Sequence, residues 1–157
     1  MTKIQTLVVS AALAIGMAAP AVAGVNDPEI IVYRFPGVRD DGLGVNTGVA
    51  TVFQCTNFSG ATENIRFVTR DQDGTLKTNM LTAVNHLSST TAVTHFTAPY
   101  VNEFNLNTGT VFQGTTAIAA TSINIICTAE TIDASNTTPN GLARRGVRFN
   151  PAPGSQE

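Results

Sequence analysis

Few side chains in this sequence combine reactive chemistry with useful spacing. The acidic residues Asp40, Asp41 and Glu103 could serve a hydrolase, in which two carboxylates about 5–10 Å apart divide the acid and base work. Asp40-Asp41 and the pair Asp71/Asp73 could hold calcium, which takes several hard oxygen ligands from a tight turn. Each cluster offers two carboxylates where an EF-type loop supplies four or five ligands. Asp71-Gln72-Asp73-Gly74 reads more economically as a hairpin turn, with Gly74 supplying positive φ at no steric cost. The histidines are His86 and His95. Neither has the surroundings of a general base, and no G-x-S-x-G is present for one to serve. With the two cysteines paired, two imidazoles are too few for a zinc site. No P-loop and no G-x-G-x-x-G after a strand offers a phosphate cradle. Tyr33, Tyr100 or an exposed Phe could stack on a sugar ring. The sequence therefore assigns no catalytic residue, no metal and no cofactor, and its ligand contacts are unknown.

Cys55 and Cys127 remain. Lys3, the apolar stretch Leu7–Met17 and the small-x-small site Ala21-Val22-Ala23 have the form of a secretory leader over residues 1–23, cleaved after Ala23. The apolar stretch is shorter than the roughly 20 residues that span a bilayer, and no later segment reaches that length uninterrupted. The expected compartment is periplasmic or extracellular, where disulfides persist. Two cysteines pair within one chain in a single way, and these lack the CxxC spacing of a redox couple. A structural Cys55–Cys127 bridge closing roughly 70 residues contributes on the order of 4 kcal/mol in the chain-entropy model.

The elements that position these residues are strands. Residues 24–132 form one domain's worth of chain, rich in Thr and Asn, which favour strands and turns respectively. Ile30–Phe35 is a strand halted by Pro36-Gly37, and Val38–Thr47 a loop. Val49–Phe58 places Phe53 and Cys55 on one face. Glu63–Asp71 alternates Ile65 and Phe67 with Asn64, Arg66 and Arg70, the mark of a half-exposed antiparallel strand. Thr75–Val84 returns from the hairpin. Thr90–Thr97 follows, with Phe96 expected in the core and His95 outside. Glu103–Leu106, Thr110–Thr121 and Ser122–Thr131 complete the set, the last with Ile123, Ile125 and Cys127 on one face. No segment shows a helical period. The fold class is all-β, a single antiparallel β-sandwich, Ig-like or jelly-roll-like.

Residues 133–157 lose the apolar pattern and read as a flexible Pro/Gly/Asn-rich tail. The exception is Val147–Phe149, where apolar Val147 and Phe149, with Leu142 before them, sit beside Arg144, Arg145 and Arg148. It either stays disordered or docks, by adding to a sheet edge of the acidic body or of a neighbouring subunit. The chain carries Lys+Arg 9 against Asp+Glu 11, a net charge of −2, and loss of Lys3 makes it more negative. Nucleic acid is excluded as a partner, because phosphate binding needs clustered cations. The sequons at Asn57 and Asn136 matter only in a eukaryotic secretory route.

The order Cys55-Thr-Asn, the Arg70-Asp-Gln-Asp-Gly74 hairpin and the late Ile125-Ile-Cys127-Thr-Ala strand resembles uncharacterised bacterial secreted β-sandwich proteins with Ig-like character, over about residues 45–133. The chain has no Trp, so it lacks the core Trp of immunoglobulin domains. The resemblance implies a scaffold and no activity. The expected function is that of an exported non-enzymatic interaction module of surface, matrix or adhesion type, with a protein or glycan partner or self-association. A small-ligand or carbohydrate-binding protein is the alternative, and a carboxylate-dependent hydrolase a third reading.

Overall fold

The computed structural model describes residues 24–149, so the leader expected over 1–23 and the tail end 150–157 lie outside the described residues. Ten strands and no helix form among them: β1 (Ile30–Asp40), β2 (Val49–Asn57), β3 (Glu63–Arg70), β4 (Leu76–Val84), β5 (Ser89–Val93), β6 (Glu103–Asn105), β7 (Val111–Ala120), β8 (Ile125–Asp133), β9 (Gly141–Arg144) and β10 (Val147–Arg148). They make two five-stranded sheets, ordered β10-β1-β7-β3-β4 and β6-β5-β2-β8-β9. All pairings are antiparallel except β5 with β6, which is parallel. No helix among the described residues is long and apolar enough to cross a membrane.

Period-2 alternation turns one face of each sheet inward. On β3, Glu63, Ile65, Phe67 and Thr69 are buried between half-exposed neighbours. Rings from both sheets then interleave, giving a sandwich-like body. Tyr33 and Phe35 of β1, Phe53 of β2, Phe67 of β3 and Phe104 of β6 follow one another with centroids 5.8, 5.7, 6.0 and 6.3 Å apart. Aromatic contacts at such spacings add about 0.5–1.5 kcal/mol each beyond the area they bury. A smaller cluster of Val52, Val93 and Ile132 lies on the outer face of the second sheet, packed against by Tyr100.

Cys55 and Cys127 are bonded, and they stand directly opposite one another in the β2–β8 register with Cα atoms 4.2 Å apart. That separation suits a non-hydrogen-bonded pair of an antiparallel ladder. The bridge thus joins neighbouring strands of one sheet, whereas the immunoglobulin bridge joins two sheets.

Long-range pairing overrode the local reading in three places, and in the tail it gave the docked one of the two outcomes left open. β1 does not stop at Pro36-Gly37. A register shift between Pro36 and Val38 absorbs the irregularity, Gly37 takes φ 76°, and the strand continues to Asp40 with Val38 buried. β5 ends at Val93, opposite Val52, and the chain then bends. Alternation does not survive the bend, so His95 is buried and Phe96 is 40 % exposed, the reverse of the expectation. β8 begins only at Ile125, which leaves Ile123 outside its ladder and partly exposed. Within the segment assigned to a flexible tail, β9 pairs with β8 and β10 pairs with β1.

The tail crosses from one sheet to the other at Arg145-Gly146. A Cβ on Gly146 would lie 2.4 Å from Phe35 Cε1, so only a bare backbone can pass over that ring. Beyond it the Phe149 amide donates to the Val32 carbonyl at 2.9 Å. Arg148 stands 5.9 Å over the Tyr33 ring and Arg34 5.4 Å over that of Phe149.

Candidate functional site

The acidic residues that could have done chemistry are drawn into the scaffold. Asp40 ends β1, is 1 % exposed, and accepts the Gly42 amide at 2.7 Å. Its Oδ2 lies 2.9 Å from His95 Nδ1, and His95 Nε2 lies 3.0 Å from the Thr47 carbonyl. A carbonyl only accepts, so Nε2 carries a proton, and an ionised Asp40 requires one on Nδ1 as well. Below the pH at which His95 titrates, the ring is therefore an imidazolium paired with a carboxylate. The hydrogen bond that His95 donates to Asp40 raises the His95 pKa, desolvation opposes it, and the charges of Asp40 and Asp41 add to the rise. For Asp40 itself desolvation is the largest influence and acts upward. The His95 and Gly42 hydrogen bonds and the His95 charge together outweigh it, holding the carboxyl below its ordinary value. In that charged state both nitrogens donate, so His95 offers no lone pair to act as a base.

This pair ties down the loop between β1 and β2. Asp41 takes the Val49 amide at 2.7 Å and that of Leu43 at 3.2 Å. Gly48 has φ 69°, and a Cβ there would meet Asp41 Oδ2 at 2.1 Å. Glu103 is equally committed, accepting the Thr97 amide and hydroxyl. Asp73 accepts the amide and the hydroxyl of Thr75, both at 2.8 Å, and Asp71 accepts the Gln72 amide at 2.9 Å. These bonds cap the turn before β4, where Gly74 has φ 85°. No group of three or more His, Cys, Asp or Glu that could hold a metal occurs among the described residues. His86 accepts the Gly60 amide at 3.1 Å through Nδ1. Surface cavities of about 300, 400 and 200 Å³ contain at most one carboxylate each, Glu130 in the first and Asp133 in the second.

Of the tyrosines, Tyr33 is buried in the core. Tyr100 closes one side of the cavity of about 300 Å³ on the outer face of β2 and β8, with Gln54, Thr128 and Glu130 as polar lining. Its hydroxyl donates to Glu130. Burial, then the Glu130 carboxylate as acceptor and as charge, push the phenol up to about 12. The arrangement offers a ring, an amide, a hydroxyl and a carboxylate around one opening, a mix of apolar surface, hydrogen-bond donors and acceptors suited to sugar hydroxyls.

The other feature open to a partner is backbone. Among the described residues, β4 closes one side of its sheet and pairs with β3 alone. It is 9 residues long, against 2, 3 and 4 for the other edge strands β10, β6 and β9. Lys77 is its one charge, and Leu76, Met80 and Leu81 are 49, 38 and 41 % exposed. The alternation that revealed β4 as a strand carries no sign of whether a neighbour lies on both sides.

The Asp40–His95 pair escaped sequence reasoning as well, since its partners are 55 residues apart and the signal at His95 pointed outward. No known protein family, no curated protein and no solved structure matches the chain.

Proposed function

We propose that the chain is an exported, non-enzymatic β-sandwich, Ig-like or jelly-roll-like in type, that acts through its surface as an interaction module of the envelope, matrix or adhesion kind. The observation that carries this reading is the nine-residue β4 edge, whose outward N–H and C=O groups are a template for another strand. Internal hydrogen bonding of Asp40, Asp41 and Glu103 supports the non-enzymatic part. The leader-like residues 1–23 and the disulfide support export. The test is surface retention in an expressing, secreting host. Exported material should begin at Gly24, and wild type should stay with the envelope or matrix fraction. A folded double variant with charges along the edge, Met80→Glu with Leu81→Lys, should be released to the medium. Equal retention of both would remove the edge from the function.

A second reading rests on the Tyr100–Glu130 cavity, which fits a small carbohydrate with the ring under its apolar face. Tyr100→Ala and Glu130→Gln should each abolish binding to an oligosaccharide array that the wild type recognises. An array on which wild type binds nothing would dispose of this reading.

A further inference from the structure

The question left by an open strand is what lies against it. At the far side of the same sheet the chain itself pairs with β1 over Tyr33 and Arg34, through the two-residue β10. The second sheet ends in β6 and β9, too short to template more than a few bonds. β4 differs in length, in charge and in what it exposes. Its first residues are guarded by Lys77 and by the register shift between Thr69 and Arg70, both common protections of an edge. From Thr78 to Val84 there is no charge, no Pro and no Gly, so those residues have no protection of this kind. Within this stretch the Val84 carbonyl is taken by Asn57 Nδ2 at 2.8 Å, and the Thr78 side chain donates to the Leu106 carbonyl at 2.8 Å.

We propose that the β4 edge is a homodimer interface, in which two copies pair β4 antiparallel about a two-fold axis at Met80 and merge their sheets. This deepens the surface-module reading and rests on it. The strand is self-complementary in that register. Thr78 stands opposite Thr82 of the second copy, Asn79 opposite its Leu81, and Lys77 opposite its Ala83. Thr–Thr pairs are favourable cross-strand neighbours. The two Lys77 residues end up about 20 Å apart at roughly 3.3 Å per residue, so they do not repel at close range. Met80, which faces the core yet is 38 % exposed at its margin, meets its own copy across the axis, and the two Leu81 become diagonal neighbours. Because a two-fold pair uses the β4 edge of both copies, pairing stops at two.

The test measures mass against concentration for the purified protein, alongside two kinds of variant. The mass should rise from one chain to a plateau at two. Met80→Cys should form an intermolecular disulfide dimer under mild oxidation, while Leu142→Cys on β9, 72 % exposed, should not. Leu81→Lys sets a cation beside Arg66, its β3 neighbour, and near its own copy, and should weaken dimerisation about tenfold or more. The inference is overturned by a single-chain mass at every concentration, by growth past two copies without a plateau, or by equal cross-linking at the two cysteine positions. If Leu81→Lys does not fold, the cysteine comparison alone decides. A single-chain mass combined with edge-dependent surface retention would reject the dimer and leave the interaction module standing, with a different partner on the edge.

Discussion

On the flank formed by β1 and β8, the chain's own tail supplies the missing strands, β10 and β9. On the flank formed by β4 and β6, nothing among the described residues pairs beyond either strand. The closed flank is finished by close contact, with Gly146 on the Phe35 ring and Arg148 over Tyr33. The open flank is joined by the Thr78 hydroxyl on the Leu106 carbonyl and by the Phe67–Phe104 ring contact, and it leaves Met80 half outside. The same core thus meets solvent in two ways. One flank is finished by the chain's own tail, while on the other the longest edge strand, β4, has β3 as its one neighbour among the described residues.

One buried strap connects the two flanks. Asp40 ends β1 of the closed flank, and His95 follows β5, the neighbour of β6 on the open one. His95→Leu leaves the Asp40 charge buried and unpaired and should cost about 3–5 kcal/mol, the largest effect expected here. Chemical denaturation at pH 5.5 measures it. The pair also sets a pH window. His95 titrates above its ordinary 6.5 in the folded chain, so its contribution is complete below pH 6.5 and disappears as pH rises through the folded value. Asp40 titrates below its ordinary 3.8, so its contribution is present above pH 3.8 and is lost as pH falls through its own folded value. Stability should therefore be greatest between those two ordinary values. The alkaline decline should vanish in His95→Leu, and a decline that persists there would assign it to another group.

Smaller effects separate the flanks. Gly146→Leu forces a side chain into the Phe35 ring and should cost about 1–3 kcal/mol. Hydrogen exchange should then show loss of protection at the Phe149 amide and none at β4. Thr78→Val removes the hydroxyl bond to Leu106 and should cost about 1 kcal/mol, read as a lower denaturation midpoint with unchanged slope. Leu81→Lys, on the outer face of the open edge, should change the stability of the single chain by no more than about 0.5 kcal/mol, measured at the lowest usable concentration. A larger loss there would mean that β4 is held by something within its own chain.

Alternation was enough to find most strands, because which way a side chain points along a pleat is a local property. Ile65 and Phe67 went inward and Arg66 and Arg70 outward as their spacing required. The partner of Cys55 was equally legible, since only Cys127 was there to take it. The candidate site was much less so. A bend after Val93 reverses the alternation, and the Asp40 carboxylate draws His95 into the interior, which no window of sequence around His95 can register. Val147–Phe149 showed in its apolar and basic residues that it would either stay disordered or seek an edge. That the edge belongs to β1 of the same chain depends on where β1 ends up. By itself the sequence determined strand faces, turns and the single disulfide. Tertiary structure alone decided that the bridge lies within one sheet, that β1 runs on through Pro36-Gly37, and that among the described residues β4 has a neighbour on one side, β3. The reason is physical: a residue's facing depends on its adjacent residues, while its pairing depends on strands brought from far along the chain.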